Sequence, residues 1–409
     1  MKKSLRDKKI IIVGAGFGGV RCALDLIAQK PPKTRIILIS DKPHFEYNPT
    51  LYRAVTGRSP LEVCIPLEEI FKNKEIEVLE DFITEFDLKE KILKGKSGSR
   101  YSFDFLVLAM GSETAYFDIP GLKELSFGFK SIREALLLKK HFHELFTFYE
   151  KADLEEKVKA AHIVIVGGGA TGVELAGELA VYTKRMAKNH NLDPSLITID
   201  IIEAASRLLP ALLKNISEKV ESRLRELGVN VFLNRKVVKE EVEEVFLKDM
   251  ELKTKTVIWT AGTRPNYLYT QIKGLDFDQN GRVKVNEFLE AEEFNDIFII
   301  GDAAATTYSG MAQTAIHNGR YAAKIISRKI RSQSFFPYKD KKPAYAIPVG
   351  PSWAAVLIGP LRFYGRFGWL VRRLADLRYF FSILSFKKAL LAFRTGKILW
   401  ESCPICFND

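Results

Sequence analysis

The chain has 409 residues, a net charge of +12, 47% hydrophobic residues and four cysteines. That length and composition predict two or three folded domains with ample core and exclude a disordered chain. The cysteines, Cys22, Cys64, Cys403 and Cys406, are too few and too scattered for a secreted disulfide framework, and the positive charge gathers near the C-terminus rather than in a nucleic-acid-binding arm.

The basic start, MKKSLRDKK, precedes an apolar run that reads as the first strand of a nucleotide-binding unit, not as a signal peptide. No run of 18 apolar residues occurs, so no membrane-spanning helix is expected. Strand Ile10 to Val13 leads into GAGFGG, where Gly14, Gly16 and Gly19 form a GxGxxG fingerprint that also contains Gly18, and a helix follows to about Gln29. The first glycine permits the tight turn, the second lets a diphosphate approach the backbone, and the third lets helix and strand pack closely. The next strand, Arg35 to Ile39, ends at Ser40-Asp41; Asp41, 27 residues after Gly14, is placed to bind ribose hydroxyls.

His44 to Gly57 (HFEYNPTLYRAVTG) is an aromatic loop that either covers a cofactor or simply packs. Short β-type runs from Glu75 to Leu108 end in a buried strand, Phe105 to Ala109, after which Gly111 allows close backbone approach. A helical, Leu- and Lys-rich connection, Ser131 to about Lys157, then marks a domain boundary.

The second fingerprint lies in AHIVIVGGGATGVELAGELA. Strand His162 to Val166 precedes Gly167, Gly169 and Gly172, and a helix runs from about Thr171 to Lys188. Strand Ile197 to Ile202 ends in Glu203, 36 residues after Gly167. A carboxylate there accepts from both ribose hydroxyls and repels a 2′-phosphate, favouring NAD over NADP, although Arg207 is nearby. Strands Val229 to Leu233 and Thr256 to Gly262 close the unit, with small residues Ala261 and Gly262 at the end. Two fingerprints imply two dinucleotides, or one and a decayed copy.

In NDIFIIGDAAA (Asn295 to Ala305) a buried strand ends in Gly301-Asp302, and Asp302 can bond a ribityl chain or another polyol. A helix begins at about Met311. Gly310, Ala312 and neighbouring alanines leave room for a flat ring, and the helix N-terminus favours an anionic one. Gln313 and His317, four apart, share a face.

The order GAGFGG, LAMGS, GGGATGVELAGEL, IWTAGTRPN, IFIIGDAAA and AQTAIHNG resembles the two-dinucleotide-binding-domain flavoproteins. Within them it most resembles the type II NADH dehydrogenases, single-subunit NADH:quinone oxidoreductases, over essentially the whole chain. The resemblance implies an α/β fold of two Rossmann-like domains with a C-terminal amphipathic membrane-associating region. FAD is implied on Gly14, Gly16, Gly18, Gly19, Asp41, Ala109, Gly111, Asp302, Ala312 and Gln313. NADH is implied on Gly167, Gly169, Gly172, Glu203, Ala261 and Gly262. Glu174 corresponds to a family carboxylate near the flavin. Gln313 matches the first Gln of the family's quinone motif AQxAxQ, and His317 stands where the second is expected; with Glu174 they are the implied catalytic residues. The implied activity carries electrons from NADH through FAD to a membrane quinone without proton pumping. The implied domains are residues 1–120 and 281–340 for FAD, 121–280 for NADH and 341–409 for the membrane.

Other acceptors stay open: a sulfide:quinone-type, ferredoxin or thiol reaction, or a redox-sensing flavoprotein. Against the thiol reading, no two cysteines have the CxxxxC spacing of disulfide reductases, and none lies between Cys64 and Cys403, where sulfide:quinone enzymes need them. Cys22 reads as a core residue, and the lone Cys403-Pro-Ile-Cys406 pair is a poor zinc site, so no metal is expected.

Residues Gly350 to Asp409 hold nine Lys and Arg against three Asp and Glu, a net +6. Phe363, Phe367, Leu370, Val371, Leu374, Leu377, Phe381 and Leu384 recur at helical spacing, with Arg366, Arg373 and Arg378 near the edges of the stripe. This suits a helix lying in an anionic membrane surface. Packing on the body of the protein or on a second subunit, as in a homodimer, is the alternative. The expected location is peripheral, on the cytoplasmic side of the cell membrane.

Overall fold

The computed structural model describes residues 7–149 and 151–395. Strand β1 (Lys8–Val13) turns into helix α1 (Phe17–Gln29) and returns as β2 (Thr34–Ser40). Helix α2 (Leu51–Val55), β3 (Glu77–Glu80) and β4 (Phe105–Leu108) follow. The chain then builds a second sheet from β5 (Phe127–Gly128), β6 (His162–Val166), β7 (Thr198–Ile202), β8 (Val229–Phe232) and β9 (Thr256–Trp259). Helices α3 (Ile132–Tyr149) and α4 (Leu154–Ala161) precede β6, and α5 (Ala170–Asn189) follows it. The chain rejoins the first sheet with β10 (Ile297–Ile299) and α6 (Ala312–Ile330). A meander of β11 (Tyr345–Pro348), β12 (Ala354–Ile358) and β13 (Leu361–Phe363) then leads to α7 (Gly365–Ile383) and α8 (Phe386–Thr395).

The strand orders are β10-β4-β1-β2-β3 and β5-β9-β6-β7-β8, and every pairing in both sheets is parallel. Parallel sheets covered on both faces demand unbroken apolar strands, which is why IIIV and IVIV are buried throughout. In each sheet the fingerprint strand is central, and the order reverses beside it. The crevice at the carboxyl ends of such strands is where ligands bind in open α/β sheets.

The glycine turns are built alike. Gly14 and Gly167 take φ of +104° and +115°, and a Cβ on either would strike the neighbouring strand's backbone at Ala109 or Thr260-Ala261. Gly19 and Gly172 press against the carbonyls of Gly14 and Gly167, so each helix sits tight on its strand. Gly14→Ala adds both strain and a collision; we expect loss of flavin retention, or insoluble protein, measured as flavin absorbance per mole of chain.

Two expectations gain detail. The Ser131 to Lys157 connection is two helices, because Asp153 caps a new one by accepting from the Glu156 amide at 3.0 Å. The strand expected to end in Gly301-Asp302 stops at Ile299, and Gly301, at φ +78°, turns the chain into the single turn that carries Asp302.

At the amino end of the central strand of the second sheet, His162 Nε2 meets Asp200 at 2.9 Å and Nδ1 meets the Lys253 carbonyl at 2.8 Å. Burial opposes the charged imidazole, but the Asp200 hydrogen bond and charge prevail and raise its pKa. The contribution to stability is therefore full below the unfolded value of about 6.5 and is lost as pH rises through the raised folded value. The Tm gap between wild type and His162→Gln should narrow from pH 6 to pH 8; a gap that widens contradicts this account.

Candidate active site

A cavity of about 510 Å³ opens at the carboxyl ends of β1, β4 and β10. Gly14, Gly16, Gly18, Asp41, Ala109, Gly111, Asp302 and Ala312 all line it. No described atom lies within 4 Å of the Cβ position on Gly16, at the start of α1, or on Gly111 at φ +68°. The α1 N-terminus thus presents amides to open space, as a diphosphate requires. Ser40 is buried, with its hydroxyl accepting from the Lys42 amide at 3.2 Å, so the exposed Asp41 is the strand-end acid facing the cavity.

Asp302 accepts from the Ser112 hydroxyl at 2.5 Å and from Lys130 Nζ at 3.2 Å. Burial works against its charge, but Lys130 and the Ser112 bond outweigh it and lower its pKa. Glu46, from the aromatic loop, receives Lys42 Nζ at 2.5 Å and the Ile132 amide at 3.1 Å. Burial opposes ionisation here too, yet His44, Lys42 and that amide hold Glu46 at about 2. Lys42, Glu46, Ser112 and Lys130 line the cavity and were missed in the sequence. The signals on offer were the aromatic loop that holds Glu46 and the LAMGS motif that ends at Ser112.

Glu174 reaches the cavity from the second unit, on α5. Burial pushes its carboxyl up to about 8, against the pull of Arg372. Gly177, one turn further along α5, packs directly on Val349 and Gly350 after β11, which draws the C-terminal elements against this helix.

Helix α7 turns an unexpected face inward. Arg372 and Asp376 are 6% and 0% exposed and are ion-paired. Asp376 also accepts from the Tyr47 hydroxyl at 2.6 Å, and Arg372 donates to the Pro49 carbonyl at 2.9 Å. Tyr47 stacks on Tyr379 at 5.2 Å, and Phe17 of the first fingerprint packs edge-on against Phe45 at 4.9 Å. The aromatic loop therefore covers the cavity and anchors α7. The predicted apolar stripe points outward instead: Phe367 is 57% exposed, Leu370 47% and Leu374 53%. Leu384 departs from the stripe and is buried.

Gln313 and His317 share a face of α6, but neither side chain lines the cavity. Gln313 Nε2 donates to the Ala344 carbonyl at 2.9 Å, and its Oε1 accepts from the Ala344 amide at 3.0 Å. His317 Nε2 lies 2.9 Å from the Lys339 carbonyl. The backbone of residues 339–344 thus offers both side chains hydrogen-bonding partners that the sequence pattern does not reveal.

At the second fingerprint, Glu203 accepts from the Gly168 amide and the Ala205 amide, each at 2.7 Å. Its carboxylate is thereby fixed beside the glycine turn. Arg207 donates to the carbonyls of Leu212 and Pro210 and to Ser217. Its guanidinium is committed to the local loop rather than turned toward Glu203. Ala261 packs against Gly167, and Gly262 against the Phe117 ring.

The profile of the Pyridine nucleotide-disulphide oxidoreductase family matches residues 8–319, about three-quarters of the chain. The chain belongs to that family. Among relatives, the type II NADH:quinone oxidoreductase of Mycobacterium tuberculosis is 29% identical over 423 residues, covering 96% of this chain and 90% of that protein. The Staphylococcus aureus (strain MSSA476) enzyme of the same description is 27% identical over 400 residues, covering 93% and 98%. The structure of NDH2 from Plasmodium falciparum in complex with NADH superposes with a TM-score of 0.85 at 22% identity, covering 95% of this chain and 97% of that one. This member of the family shows no dithiol in its described residues. Cys22 and Cys64 lie in separate hydrophobic clusters, and burial raises the Cys22 thiol well above its usual range. Cys403 and Cys406 lie outside the described residues.

Proposed function

We propose that this chain is a type II NADH dehydrogenase, an FAD-dependent enzyme that takes electrons from NADH and delivers them to a quinone. The observation that carries the reading is the junction of two fingerprint units at one cavity, with Glu174 of the second unit reaching into the crevice of the first. Bound FAD supplies the two-electron redox chemistry between donor and acceptor. Gly16, Asp41, Gly111 and Asp302 hold it in the first unit, built from residues 1–120 and 281–340, with Ala109 and Ala312 giving close approach. Gly167, Gly169, Gly172 and Glu203 hold NADH in the second unit, residues 121–280.

Glu174 serves as a proton donor at the cavity wall, since a carboxyl lifted to about 8 is mostly protonated at neutral pH. Gln313 and His317 act by positioning residues 339–344 rather than by touching the ring. The purified holoenzyme should oxidise NADH much faster with a short-chain quinone than with oxygen alone; equal rates defeat the quinone assignment.

Glu203 sets the preference for NADH. Removing its charge in Glu203→Ala should relax discrimination against NADPH about tenfold, since facing like charges cost several kcal/mol when desolvated and less at a half-open site. The check is the ratio of flavin reduction rates by the two donors.

The outward arc of α7 supports a peripheral membrane enzyme. Among the described residues no helix is long and apolar enough to cross a bilayer. The arc Phe367, Leu370, Leu374 and Phe381 is flanked by Arg366 and Arg373 on one edge and Arg378 on the other. Phe367→Ser/Leu370→Ser/Leu374→Ser removes about 2 kcal/mol of transferable apolar surface, so binding to phosphatidylglycerol vesicles should weaken about thirtyfold. Unchanged binding would show that the arc serves another surface, such as a second copy.

A further inference from the structure

A second pocket of about 40 Å³ lies between α2, α7 and α8. Its walls carry Arg53, Arg58, Arg373 and Arg394 against Glu62 and Asp376 alone. Glu62 is divided between Arg53 and Arg58, 3.7 Å from each. Asp376 Oδ2 stands 3.8 Å from Arg373, and its Oδ1 is already engaged by Arg372 and Tyr47. Arg373 also donates to the Phe393 carbonyl at 2.9 Å and lies over the Phe393 ring. The four guanidinium groups on the walls face only two carboxylates, both partly committed. The crowding is felt at Arg373, where burial and then the Arg53 charge weaken proton affinity.

Cations gathered at a partly dry site call for an anion, and guanidinium forks bind phosphate oxygens in bidentate pairs. The volume admits a phosphate-sized group and excludes a nucleotide. The neighbourhood fixes the source. Arg373 sits at the edge of the outward apolar arc, so an acyl chain lying along Leu370, Leu374 and Phe381 brings its headgroup to the pocket mouth. We infer that this arginine-walled pocket seats the phosphate of an anionic phospholipid, turning a smeared attraction to the bilayer into a defined docking point. The inference rests on the membrane reading above.

The test is calorimetric titration of the holoenzyme with dihexanoyl phosphatidylglycerol below its micelle concentration, beside dihexanoyl phosphatidylcholine and inorganic phosphate. Arg58 is 65% exposed at its side chain and Arg394 is also exposed, so Arg58→Gln/Arg394→Gln leaves the fold in place. Arg366→Gln/Arg378→Gln removes the same charge outside the pocket. We expect one saturable site for phosphatidylglycerol, at least ~tenfold tighter than either control, weakened ~tenfold or more by the pocket variant and about twofold at most by the other. Equal losses in the two variants, phosphate binding as tight as lipid, or no saturation would overturn the inference. If wild type fails to bind vesicles at all, the membrane reading falls as well. Vesicle binding without a saturable short-chain lipid site removes the pocket alone.

Discussion

Glu174→Gln should lower quinone turnover about hundredfold while leaving flavin reduction by NADH unchanged, because a positioned general acid contributes about 10²–10⁴ to a proton-coupled step. Gln preserves the size and polarity of the side chain but has no acidic proton. In wild type the carboxyl, pushed up to about 8 by burial, is protonated below that value and ionised above it. Quinone turnover should therefore fall as pH rises through about 8, and the variant should show no such limb. Separate rapid-mixing records of the two half-reactions decide the matter. A quinone step of normal rate in Glu174→Gln removes the proposed role.

The second large effect is structural. Asp376→Ala leaves Arg372 buried without its partner, and breaking a buried pair in this way typically costs about 3–5 kcal/mol. It also removes the acceptor of the Tyr47 hydroxyl, loosening α7 from the loop that covers the cavity. The urea midpoint should drop markedly, and flavin should dissociate earlier in the transition. The double variant Arg372→Met/Asp376→Leu should recover most of the loss, since an apolar pair of similar volume avoids the stranded charge. A midpoint for Asp376→Ala within experimental error of wild type would mean that the pair does not hold α7 in place.

The two nucleotide units were legible because their geometry leaves few residue choices. Only glycine takes the turns at Gly14 and Gly167 without strain, and only glycine allows the close helix approach at Gly19 and Gly172. Strand His162–Val166 appears with the bounds its apolar run predicts. The period of α7 was legible too, and the stripe is exposed, as a membrane-facing reading expects; what was not legible is which residues turn inward. The partners that turn Arg372 and Asp376 inward are Pro49 and Tyr47, more than 300 residues away in the chain. Periodicity places the apolar stripe on one face but does not show that the opposite face would be held inward by a buried ion pair. Gln313 and His317 illustrate the same limit. Their shared face follows from a spacing of four, but the segment they hold, residues 339–344, has no periodic signature. Lys130 lies in a stretch with no motif and Ser112 ends the LAMGS motif without a role of its own there; only the fold brings both to Asp302.

The central claim is that one cavity couples NADH oxidation to quinone reduction. Its most direct test is anaerobic rapid mixing of the holoenzyme, first with one equivalent of NADH and then with a short-chain quinone, followed at the flavin absorbance. The account predicts full bleaching by NADH and complete recovery on quinone addition, faster than recovery with oxygen. Bleaching by NADH with no recovery on quinone would contradict it.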